Sequence, residues 1–126
     1  MDKIITPATD IIILGGGVAG LTLALQLSMA TPSQQITVLE RTAFPVPEAT
    51  HKVGESTVEI AAHYLRDVLG LSDHLLKEQL EKFGLRIFFT ANGNTDVSTR
   101  PEIGHAEPPL GSVGTFQVDR GSLENY

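Results

Sequence analysis

The run Gly15-Gly16-Gly17-Val18-Ala19-Gly20 constrains this chain more than any other feature, because of what stands on either side of it. Residues 10–14 (DIIIL) are apolar, rich in β-branched side chains and closed by glycine, which predicts a strand buried on both faces, as in a parallel sheet. From Val18 to about Ala30 the period becomes helical, with Leu21, Ala24, Leu25 and Met29 on one face, and Thr31-Pro32 ends it. Residues 36–39 (ITVL) predict a second buried strand that stops at Glu40. Strand, helix and strand in about thirty residues make a βαβ unit, whose crossover is right-handed.

The glycines sit where such a unit holds a dinucleotide. Gly15 permits the tight turn, Gly17 lets a pyrophosphate approach the backbone, and Gly20 lets helix and strand pack closely. The helix start at Val18 and Ala19 offers free amides and a positive dipole end to phosphate. Glu40, twenty residues past Gly20, stands where an acid accepts hydrogen bonds from an adenosine ribose. That acid disfavours a 2′-phosphate and hence NADP. Arg41 beside it faces either adenine or solvent. The pattern predicts an α/β, Rossmann-type domain. It does not separate NAD from FAD, and a glycine turn without ligand is the bland alternative.

Beyond the βαβ unit, residues 42–54 hold Pro45 and Pro47 and read as a loop. Ser56-x-x-Glu59 has the form of a capping box, so a helix is expected from Ser56 towards Leu69, closed by Gly70. Ser72 is expected to cap a second short helix running through Lys82, with Glu78/Lys82 and Lys77/Glu81 as i,i+4 pairs. Residues 85–90 and 113–118 read as strands, Asn92-Gly93 as a hairpin-type turn, and 101–112 as a surface loop. Asp119 or Ser122 opens a last helix that is expected to have nothing to pack with before Tyr126. The sequence therefore reads as the N-terminal part of a longer protein.

Bulk properties remove several classes. A net charge of −6 gives no electrostatic reason to bind nucleic acid or an anionic membrane. Residues 11–30 carry no charge and approach the length of a membrane span, but three consecutive glycines are costly in a lone helix, and MDK is a poor signal-peptide start. There is no cysteine, so disulfides and thiol chemistry are absent, which fits a cytoplasmic location. His51, His63, His74 and His105 have no ligand spacing, and no metal site is expected.

Three segments together resemble the flavin-dependent halogenases and their flavin monooxygenase relatives. They are GGGVAGLTLAL with LER, then Lys52-Val53-Gly54-Glu55-Ser56-Thr57, then Phe116-Gln117-Val118-Asp119-Arg120. The resemblance implies FAD as the cofactor. It implies that Gly54, Glu55, Ser56 and Thr57 form a strap beside the flavin, linking it to the halide side of the site, and that Arg120 lies near the flavin. Aligned on the same pattern, Lys82-Phe83-Gly84-Leu85-Arg86 puts Lys82 at the lysine thought to guide the oxidised halide; a surface helix pair explains Lys82 equally well. The implied activity of the intact protein is monooxygenation or halogenation of an aromatic small molecule through a flavin hydroperoxide, with dioxygen, possible halide and a separate flavin reductase as partners. The alternatives are a non-catalytic dinucleotide-binding module or an inactive truncated product. The chain departs from halogenases at Glu59, where they often have proline, and in having no tryptophan.

Overall fold

The computed structural model describes residues 8–83, 86–90, 92–104 and 114–126. It is an α/β structure. β1 (Ile11–Leu14) leads through the glycine turn into α1 (Val18–Ala30), and β2 (Ile36–Leu39) follows. β1 and β2 pair in parallel, from Ile11 opposite Ile36 to Leu14 opposite Leu39, so the expected βαβ unit forms. α1 and β2 keep the expected bounds, and β1 starts one residue later, at Ile11.

Their burial differs from expectation. Ile13 is buried, but Ile12 and Leu14 are 60% and 82% exposed, and Met29 on α1 is also exposed. Strand side chains alternate between faces, and α1 covers one face of this two-stranded sheet; among the described residues nothing covers the other.

The core lies elsewhere. α2 (Glu59–His63) runs on as a π-helical turn over Tyr64–Val68, followed by α3 (Ser72–Glu78) and β3 (Leu80–Lys82). β4 (Arg86–Phe88) pairs antiparallel with β5 (Glu102–Gly104), while β6 (Thr115–Gln117) pairs with β3 and leads into α4 (Arg120–Asn125). Ala62, Leu65, Leu69, Leu75, Phe116, Val118 and Leu123 close into one apolar cluster, and Val18 and Leu25 of α1 pack against it. This cluster fastens the dinucleotide-type turn to the second half of the chain. No helix among the described residues is long and apolar enough to cross a membrane.

Four expectations fail here, and in the first three a strand pairing competes with the local signal. Ser56 does not cap a helix: Val58 precedes α2 without any side-chain cap, and Ser56 bridges to Gln117 instead. Residues 55–57 are extended along β6, with the Thr57 amide donating to the Phe116 carbonyl at 2.8 Å and the Val118 amide to the Glu55 carbonyl at 2.7 Å. Lys82 is not helical: α3 ends at Glu78, and Lys82 lies opposite Thr115 in the β3–β6 ladder. The i,i+4 pairs therefore cannot form, and Lys77 sits 3.6 Å from Asp73. Asn92 and Gly93 do turn the chain with left-handed backbone between antiparallel β4 and β5, in a connection that also holds a 3-10 turn, Val97–Thr99. β5 itself occupies part of the expected 101–112 loop; residues 105–113, with Gly84 and Leu85, lie outside the described residues. Finally, α4 does pack: Gly121, Leu123 and Glu124 are buried, against α1 and the core.

Candidate flavin site

The turn itself is built from two close approaches. Gly15 has φ +104°, a left-handed conformation, and its amide extends the β1–β2 ladder to Leu39 at 2.8 Å. A Cβ at Gly20 would collide with the Gly15 carbonyl, so only glycine lets α1 start this close to β1. The first helical bond runs from the Leu21 amide to the Gly17 carbonyl, leaving earlier amides free for other acceptors.

Two of those amides already meet carboxylates of the chain. The Gly16 amide donates to Glu40 Oε2 at 2.7 Å, and the Thr42 amide donates to Glu40 Oε1 at 2.8 Å. The Gly16 amide, with that of Thr42, holds the Glu40 carboxyl below the usual carboxylate range. The Val18 amide donates to Glu124 Oε1 at 3.1 Å. Arg41 is exposed just past β2.

Residues 46–57 form a strap that crosses over α4 and β6. Gly54 turns it with φ +92°, and the Lys52 amide donates to Glu55 Oε1 at 3.0 Å. α4 fastens the strap repeatedly. Asn125 bonds both the amide and the carbonyl of Val46, Asp119 accepts from the Ala49 amide at 2.6 Å, and Arg120 Nη1 donates to the Val53 carbonyl at 3.1 Å. A Cβ at Gly121 would meet the backbone of Pro47 and Glu48, so the strap lies directly on this helix. The buried Thr57 hydroxyl accepts from the Phe116 amide and donates to its carbonyl.

These contacts bring the expected positions together. Val18, Ala19, Gly54, Thr57 and Arg120, from three separate segments, line one mainly apolar groove of about 190 Å³. Lys82 approaches the strap from β3: its ammonium donates to Ser56 Oγ at 2.6 Å and to the Thr57 carbonyl at 2.7 Å. Glu40, bonded to the Gly16 amide, and Arg41 follow β2 and do not line this groove. A larger apolar cleft of about 300 Å³ lies between α1 and α4, with Leu21, Leu25, Leu71 and Tyr126 among its walls, but it takes in no residue of the strap.

Glu124 escaped the sequence reading, and Lys52 was given no role beyond opening the strap segment. Lys52 Nζ donates to Glu124 Oε2 at 2.7 Å, and Arg120 Nη2 to Glu124 Oε1 at 2.7 Å. The Arg120/Glu124 spacing on a predicted helix was the available signal. Among the described residues no three His, Cys, Asp or Glu side chains cluster to hold a metal.

The glycine turn, the βαβ unit and the strap lie within a match to a known family, and Arg120 lies beyond it. The tryptophan halogenase family model matches residues 10–113, so the chain belongs to that family. A flavin-dependent halogenase, chlA, from Dictyostelium discoideum is 39% identical over 90 residues; the match takes in 68% of this chain and 15% of the relative's length.

Proposed function

We propose that residues 1–126 are the N-terminal part of a Rossmann-type FAD-binding domain in a cytoplasmic flavin-dependent halogenase acting on an aromatic small molecule. One observation carries this reading: in a chain of the halogenase family, the glycine turn, the strap and Arg120 meet on a single groove. The similarity to a relative named as flavin-dependent supports FAD over NAD.

The residues present fit the group. Gly17 carries no Cβ just before α1, whose N-terminal amides and dipole suit a pyrophosphate. Glu40 would take the ribose hydroxyls, exchanging its bond to the Gly16 amide, and Arg41 would flank the adenine. Gly54, Glu55, Ser56, Thr57 and Arg120 would border the flavin end. Bound and reduced, FAD supplies the activation of dioxygen that halide oxidation or hydroxylation requires.

Lys82 would hold the oxidised halide beside the substrate. An ammonium has three protons, and two are taken by Ser56 and the Thr57 carbonyl, which aims the group and leaves one donor for a ligand. Halide-dependent product formation by the full-length protein, supplied with a flavin reductase, tests the assignment. Lys82→Ala should abolish halogenated product while FAD stays bound. Undiminished halogenation removes Lys82 from the reaction, and hydroxylated product in the wild type, independent of halide, makes the protein a hydroxylase.

A further inference from the structure

Glu124 takes no part in the reaction proposed above, yet it is the most heavily bonded side chain next to the glycine turn. Its side chain is 3% exposed. Oε1 accepts from the Val18 amide at 3.1 Å and from Arg120 Nε at 3.1 Å and Nη2 at 2.7 Å. Oε2 accepts from Lys52 Nζ at 2.7 Å. The donors come from the first turn of α1, the strap and α4. Burial pushes this carboxyl up, but the bonds from Lys52 and Arg120 outweigh it and hold it below the ordinary glutamate range, so it is an anion at neutral pH.

An isolated anion at this depth would be strongly unfavourable, whereas one with two cations and a helix amide is not. We propose that Glu124 is a positioning residue for flavin binding: it holds Lys52 and Arg120, and through them residues 52–55 of the strap, against the start of α1. The phosphate end and the flavin end of the groove are then set by one carboxylate. The inference rests on the FAD reading. It also predicts a sign that charge alone would reverse. Deleting an anion beside a phosphate-binding turn strengthens the binding of an anionic ligand by Coulomb's law. Loss of a positioning group weakens it.

The test is FAD titration of the full-length protein, comparing wild type, Glu124→Gln, Lys52→Met and the double variant, with amide hydrogen exchange on each protein before FAD is added. Glu124→Gln should bind FAD about tenfold more weakly, and Lys52→Met several-fold more weakly; a double-variant loss no larger than that of Glu124→Gln shows that Lys52 acts through Glu124. Exchange should rise across 46–57 and not in α2 or α3. Equal or tighter FAD binding by Glu124→Gln overturns the proposal, as do losses that multiply or exchange that rises throughout the core. Should Glu124→Gln not fold, Lys52→Met, which keeps the Arg120–Glu124 pair, decides alone: wild-type affinity overturns the proposal. A wild type that leaves FAD unbound instead overturns the flavin reading itself.

Discussion

A single missing carbon atom at residue 20 decides how close α1 can start to β1. Alanine there would press its Cβ onto the Gly15 carbonyl, a backbone group that cannot swing aside as a side chain would. Relief requires moving the helix start, and overpacking of this kind costs about 1–3 kcal/mol. Gly20→Ala should therefore lower stability by that amount in urea unfolding; a midpoint unchanged from wild type would show that α1 has freedom this geometry denies it. The same reasoning separates glycine positions that sequence treats alike. Gly15 and Gly20 are required by the turn itself, through a left-handed φ and a close approach. Gly121, in no recognised motif, is required by a strap more than sixty residues earlier in the chain, and sequence carries no sign of it.

At the level of elements, α4 is a short helix with an outsized role, since it ties down the strap from Val46 to Val53. Its Asp119 caps the helix through the Gly121 and Ser122 amides and also takes the Ala49 amide. Asp119→Ala should cost about 1 kcal/mol as a lost cap, and should loosen residues 46–53 in hydrogen exchange. Loss of stability without that loosening would mean that the strap is held by its other contacts. β1, α1 and β2 were legible residue by residue because their causes are local: a β-branched run, a glycine turn, a Thr-Pro stop. The segments at Ser56, Lys82 and α4 were not, because each is decided by β6 or by the strap. Ser56-x-x-Glu59 is a sound capping box in isolation, but the β6 edge offers the backbone of 55–57 a ladder instead. The candidate site divides in the same way. Its glycines and Glu40 are readable from spacing, the strap, Lys82 and Arg120 only from family resemblance, and Lys52 with Glu124 only from the folded chain.

Across the whole molecule, two parts of the structure border one groove: the βαβ unit supplies Val18 and Ala19, and the second half of the chain supplies Gly54, Thr57 and Arg120. Their junction combines the apolar packing of Val18 and Leu25 on the core with polar contacts of the Val18 amide, Glu124, Arg120 and Lys52, and Val18 and Arg120 also line the groove. The exposed face of β1 and β2, with Ile12, Leu14 and Leu39 outward, leaves that half dependent on α1 and this junction for its packing. Whether the two halves make one flavin site is tested most directly by titrating the full-length protein with FAD, beside Arg120→Met. One FAD per chain is predicted for the wild type. The variant, deprived of a charged group worth about 1.5–3 kcal/mol in such contacts, should bind at least about tenfold more weakly. A wild type that leaves FAD unbound, or an Arg120→Met variant that binds it with undiminished affinity, would contradict the account.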